Sequence, residues 1–261
     1  MYDLSVNKHQ KMVNGNRRNL GYKFSVWNCG RGLVQEGGES TKLNEVRHFL
    51  STKKPHCFAI IEADIFSTSS SVNRVNKYST SEIREILKID GYRLELPRSW
   101  EAHGQARIVC YVSEDVNFSR KYFNSEFDHL PSISLEVGLG KAGKTSVHYY
   151  YREWKNGVTG EDCQQSQLSD LRLHIKLWTE MLASGRQFIC MGDANLCSLS
   201  WNDTHYRYKD LANEVQQFLV DESCFQIVQK PTRIQSVRGQ LQKSCLELSI
   251  LSFFAAVRIL G

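Results

Sequence analysis

Short apolar runs, four to nine residues long, recur along most of this chain and are separated by polar turns or by stripes of helical period. The runs predict strands at Phe24-Ser25-Val26-Trp27, at Cys57-Phe58-Ala59-Ile60-Ile61, from Ser132 to Val137, from Thr145 to Arg152 and at Phe188-Ile189-Cys190-Met191. Between the first two, Leu43, Val46, Phe49 and Leu50 recur at helical spacing; Ser40 or Thr41 can cap that helix and Pro55 stops the segment. Leu168, Leu171, Ile175, Trp178 and Leu182 mark a second helix whose one apolar stripe packs on a sheet, and Leu211, Val215 and Phe218 mark a third. No internal repeat or low-complexity tract interrupts this order.

Chemistry collects where the strands end. The run Phe188 to Met191 leads through Gly192 to Asp193, Ala194 and Asn195; Gly192 permits a sharp exit, and alternation sends Asp193 and Asn195 to one side and Ala194 to the other. A carboxylate beside a neutral amide suits a phosphate-ester site, since one handles a proton or a metal and the other holds an anionic oxygen without repelling it. The plain alternative is a strand followed by an Asp/Asn turn. A strand, a helix and a strand bring Asn28 and Glu62 to one edge, with Cys29-Gly30-Arg31-Gly32 as a loop floor and Glu62 as the hard oxygen ligand that Mg²⁺ requires. Tyr149-Tyr150-Tyr151-Arg152 closes another strand, and tyrosines in such a run also serve simply as packing.

Composition fits one compact domain: 261 residues and 30.0 kDa, 41% hydrophobic and 23% charged. A net charge of +5 leans toward polyanions, though clusters such as Arg17-Arg18 and Lys53-Lys54 are by default solvated surface. The eight cysteines show no close pairing and read as thiols of a reducing compartment, neither a disulfide frame nor a zinc site. The start lacks the apolar core of a signal peptide, and residues 1–20 read as a loose tail. The apolar end from Leu248 to Leu260 is too short and too interrupted to span a membrane, so an intracellular protein without membrane contact is expected. Ser67 to Lys77 and Asn156-Gly157-Val158-Thr159-Gly160 read as surface insertions beside the site.

Taken in order, Trp27-Asn28, Ile61-Glu62, Tyr151-Arg152, Gly192-Asp193-Ala194-Asn195, Lys230-Pro231-Thr232-Arg233 and Ser244-Cys245-Leu246-Glu247 resemble the endonuclease/exonuclease/phosphatase superfamily. Within it, the chain is similar to the apurinic-type endonuclease domain of LINE-like (non-LTR) retrotransposons, from about Phe24 to about Leu248. The resemblance implies an α/β (α+β) fold, a four-layer sandwich of two mixed β-sheets flanked by helices. It implies a domain over residues 21–248 between the 1–20 tail and a divergent tail at 249–261. It also implies roles: Glu62, helped by Asn28, holds Mg²⁺, with Mn²⁺ as a substitute; Asp193 activates the attacking water; Asn195 fixes a phosphate oxygen; Tyr151 orients the scissile phosphate. The implied partner is DNA, which places the protein in the nucleus where that DNA is chromosomal. A monomer without a small-molecule cofactor is favoured.

Two departures stand out. The family has an Asp where this chain has Glu247, one methylene longer, and it follows with a Ser-Asp-His triplet that these 261 residues do not contain. The C-terminal part is therefore expected to be incomplete and the activity weakened. Asp128-His129 does not replace the triplet, because it precedes Tyr151 in the order. Two rivals follow: a phosphatase of phosphoinositides or a sphingomyelinase with the same fold, and a catalytically dead nucleic-acid-binding or structural remnant.

Overall fold

The computed structural model describes residues 2–6, 22–30, 32–34, 40–72, 76–140, 143–154, 161–228, 233–237, 240–244, 247–252 and 257–260; for 2–6, 161–162, 233–237, 240–244, 247 and 257–260 it describes the backbone alone. The first sheet contains β1 (Tyr2–Val6), β2 (Tyr22–Asn28), β3 (Cys57–Phe66), β4 (Tyr92–Glu95), β5 (Gln105–Ser113) and β14 (Val257–Leu260), in the spatial order β14-β1-β2-β3-β5-β4. The second contains β6 (Phe118–Arg120), β7 (Ser132–Gly138), β8 (Lys144–Tyr151), β9 (Gln187–Asp193), β10 (Cys224–Gln226) and β13 (Glu247–Ser252), in the order β10-β13-β9-β8-β7-β6. A separate ribbon pairs β11 (Arg233–Val237) with β12 (Gln240–Ser244). β2 runs parallel to β3 and β8 parallel to β9, while the other pairs in both sheets are antiparallel, so both sheets are mixed.

Burial on both faces makes each central strand nearly continuous in apolar residues. One face of each sheet meets the other sheet: Val26, Ala59, Ile61, Ile108 and Cys110 pack with Ile133, Leu135, Val147, Tyr149 and Met191. The outer face of the first sheet is covered by α1 (Thr41–Lys53), through Leu43, Val46 and Leu50, and by α2 (Thr80–Ile86), through Ile83. The outer face of the second is covered by α4 (Glu161–Leu182), through Leu171 and Trp178, and by α5 (Lys209–Asp221), through Leu211, Val215 and Phe218. A short α3 (Arg98–His103) leads into β5. Four layers result, as the resemblance implies. Ser40 is the cap of α1, its hydroxyl accepting the Leu43 N–H at 3.0 Å, and Lys54 ends the helix in a left-handed conformation just before Pro55.

Three expectations need correction. Tyr2–Val6 is no loose tail, because its backbone pairs with β2 on one side and β14 on the other; residues 7–21 lie outside the described residues. The boundary at 248 cuts through β13, whose residues up to Ser252 pair with β9 or β10, so the sheet and not a tail holds 249–252. Glu62 does not close β3: the strand continues to Phe66, with residues 62 to 64 facing the single residue Arg107 of β5.

Candidate active site

The parallel pairs β2/β3 and β8/β9 bring their C-terminal ends to one edge of the sandwich. There Asn28 bridges the two sheets. Its Nδ2 donates to Glu62 Oε1 at 3.1 Å and to Asp193 Oδ2 at 2.9 Å, the latter across 165 residues of sequence. Its Oδ1 accepts the Gly30 N–H at 2.9 Å, which ties the amide to the loop floor and sets which end faces the carboxylates.

Asp193 is the last residue of β9 and is 1% exposed. Its Oδ1 accepts the Asn195 N–H at 2.6 Å, a tight Asx turn that fixes the carboxylate. The exit from β9 differs from the sequence expectation. Gly192 is not the turning residue; a Cβ there would lie 2.0 Å from the Tyr150 carbonyl oxygen of β8, so glycine is required by the close approach of the neighbouring strand. Asn195 makes the turn instead, with φ 52.

That conformation recurs in the site. Glu62 (φ 58) and Asp64 (φ 51) are left-handed as well, so three of the five non-glycine residues with positive φ among those described lie here. Such backbone costs on the order of 1–3 kcal/mol per residue and persists where surrounding contacts impose it. In β3 the bulge opposite Arg107 imposes it, and its effect is to present Glu62 to Asn28 while Asp64 meets the Arg107 guanidinium at 2.7 Å.

Tyr151 closes β8 beside these groups. Arg107 lies 5.1 Å from its ring centre, donates to its hydroxyl at 3.4 Å and pairs with Glu153 at 2.6 Å. The phenol also shares a hydrogen bond with the Asn195 side chain. Burial, and after it the negative charge of Glu62, pushes the Tyr151 pKa up to about 12, so the hydroxyl keeps its proton and acts as a donor.

Arg152, fully buried, holds the next turn: its Nε donates to Ala194 O at 2.6 Å, one Nη to Gln167 Oε1 at 2.6 Å, and its backbone carbonyl accepts the Asn195 Nδ2 at 2.7 Å. Burial lowers its pKa, with Asp170 and Asp193 opposing that shift.

The structure thus brings together Asn28, Glu62, Tyr151, Asp193 and Asn195. Glu247 is joined to them by its backbone, as the partner of Asp193 in the β9/β13 ladder. Lys230, Pro231, Thr232, Cys245 and Leu246 of the sequence motifs, and the turn at 156–160, lie outside the described residues. Asp128 pairs with Arg98 at 2.9 Å in the turn before β7. Sequence reasoning gave no role to Arg107, Asp64 or Arg152. A signal existed, because Arg107 and Asp64 are charges inside apolar runs, Ala106-Arg107-Ile108 and Ala63-Asp64-Ile65.

Among the described residues no cluster of three or more His, Cys, Asp or Glu converges as metal ligands. The site offers two carboxylates sharing one neutral amide. That hard-oxygen set suits Mg²⁺, which is commonly bound through one or two carboxylates with water completing its shell. Asn28 turns its donor end to this set and its Oδ1 to the Gly30 N–H.

No protein-family model matches the chain, and no curated protein matches it. Solved structures do. The endonuclease domain of TRAS1, a telomere-specific non-LTR retrotransposon, matches with a TM-score of 0.53 at 14% identity, over 89% of this chain and 85% of that one. The chain shares the fold of that domain. The same fold relates it to the AP endonuclease LMAP from Leishmania major, with a TM-score of 0.56 at 12% identity over 89% and 79% of the two chains. It also relates it to TDP2 from D. rerio, described in complex with a single-strand DNA product, with a TM-score of 0.54 at 10% identity over 89% and 84%.

Proposed function

We propose that this protein hydrolyses phosphodiester bonds in DNA as a retrotransposon-type endonuclease that uses Mg²⁺. The observation that carries the reading is the Asn28 amide spanning Glu62 and Asp193 at the facing ends of the two sheets. Around it stand two neutral groups suited to an anionic ester, the Tyr151 hydroxyl and the Asn195 amide. The fold neighbours named for endonuclease activity and for a DNA product support the same class.

Glu62 would hold the ion, and Asn28 would keep Glu62 and Asp193 at their spacing. When bound, Mg²⁺ supplies positive charge against the charge developing on the phosphate. Asp193 takes a proton from the attacking water, whose oxygen adds to phosphorus as the bond to the leaving sugar oxygen breaks. Tyr151 and Asn195 donate to non-bridging phosphate oxygens, and Arg107 holds the phenol in place.

Nicking of supercoiled plasmid tests the reading. The chain is expected to nick in Mg²⁺ and to stop in EDTA, and Asp193→Ala is expected to lower the rate by about 10²- to 10⁴-fold. DNA binding without Mg²⁺-dependent nicking would instead support the rival of a catalytically dead nucleic-acid binder.

A further inference from the structure

We infer that a cavity of about 260 Å³ beside this site receives one unpaired nucleotide of the DNA strand, its base stacking against Tyr122 and its polar groups meeting Arg84, Arg120, Glu95 and Glu101. The inference rests on the phosphodiesterase reading of the neighbouring site and specifies its substrate.

Position is the first argument. Ser67, which lines the cavity, directly follows β3 beyond Glu62, and its N–H donates to Gly104 O at 2.7 Å. Trp100 lines it from α3, which leads through Gly104 into β5 and so to Arg107, the residue against Tyr151. Cavity and candidate active site therefore flank one continuous segment, and a strand crossing the first can reach the second.

The chemistry of the wall is the second. Two guanidiniums and two carboxylates line the same space. A bare phosphate would meet Glu95 and Glu101 unfavourably, whereas a nucleobase edge carries donors and acceptors together and its own phosphate satisfies the arginines. Arg120 is held by Leu96 O at 2.8 Å and Glu95 at 3.4 Å, yet its buried Nε has no hydrogen-bond partner among the described residues.

The third is the aromatic ring. Tyr122 is 59% exposed, with the Arg98 and Arg120 guanidiniums 5.2 Å and 5.7 Å from its ring centre. Phenol and guanidinium planes both stack unpaired bases. The volume lies below the usual range of ligand pockets, about 300–1,000 Å³, and fits one base better than a base pair.

Fluorescence anisotropy in EDTA, with the full chain and labelled DNA, tests this. A duplex with a purine overhang is expected to bind about 10-fold tighter than a blunt duplex of equal length. Tyr122→Ala should remove that difference and leave blunt binding unchanged, while Tyr122→Phe should keep it because the ring remains. Deoxyguanosine monophosphate should compete with the overhang better than inorganic phosphate. Equal loss on both duplexes, no loss on either, or equal competition by phosphate would overturn the inference. Plasmid nicking separates the two readings. Nicking without an overhang preference would sink this inference alone, and an overhang preference without nicking would sink the catalytic reading alone.

Discussion

At the scale of single residues, the site depends on two contacts between strands. Gly192 lies so close to β8 that any Cβ would collide with the Tyr150 carbonyl oxygen, at 2.0 Å. Gly192→Ala should therefore cost about 3 kcal/mol or more, since β8 and β9 must separate to admit it; urea denaturation measures this, and a change below about 1 kcal/mol would contradict the packing. Asn28 offers a sharper test of the metal. In Asn28→Asp a third carboxylate meets Glu62 and Asp193, which lie 3.1 Å and 2.9 Å from the native amide nitrogen. The variant should melt at a lower temperature than the native chain without divalent ions and gain more from added Mg²⁺, because the ion relieves the repulsion. Thermal melts with and without Mg²⁺ decide it, and a loss that Mg²⁺ leaves untouched would count against a cation site. Asn28, Glu62, Asp193 and Asn195 were legible because each stands at or just beyond an apolar run. Arg107 was not, since its role exists only opposite the bulge of β3.

Elements show which local signals are sufficient. Helix α1 could be read in full: its stripe, the Ser40 cap and the stop before Pro55 are all set by neighbours in sequence. Ser40 also donates to Leu33 O at 2.5 Å, so it anchors the preceding loop as well as the helix. Ser40→Ala should destabilise the fold by about 1 kcal/mol or somewhat more, measured by denaturant titration. Ser40→Asp keeps the N-terminal acceptor and should recover the capping part only. Strand β3 shows the opposite case. Its apolar run ends at Ile61, which suggests a strand end, but the chain resumes pairing at Ile65 because β5 continues alongside it. The interruption serves the site by turning Glu62 and Asp64 in different directions, toward Asn28 and Arg107 respectively.

For the whole molecule, packing between layers determines the response to acid. His148 is buried where β8 meets α4, with Ser134 Oγ at 2.8 Å from Nδ1, Tyr150 stacked beside it, and His174 beyond that ring. Burial, and after it the nearby His174, lowers its pKa to about 3. An unfolded histidine titrates near 6.5, so between those values the unfolded chain binds a proton that the folded one refuses. The stability linked to His148 is therefore complete above about pH 6.5 and is lost as pH falls toward 3, with a slope of at most about 1.4 kcal/mol per pH unit. Denaturation at a series of pH values should show this slope, and His148→Gln should flatten it; an unchanged slope would place the acid sensitivity elsewhere. The sequence by itself determined the strand and helix periods and the polar residues waiting at strand ends, because those depend on residues a few positions apart. Tertiary structure alone decided that Asn28 reaches Asp193 across 165 residues, that Arg107 faces the bulge and that Gly192 is glycine for its neighbour's sake. Each of those depends on which strands lie side by side, and no local pattern encodes that distance.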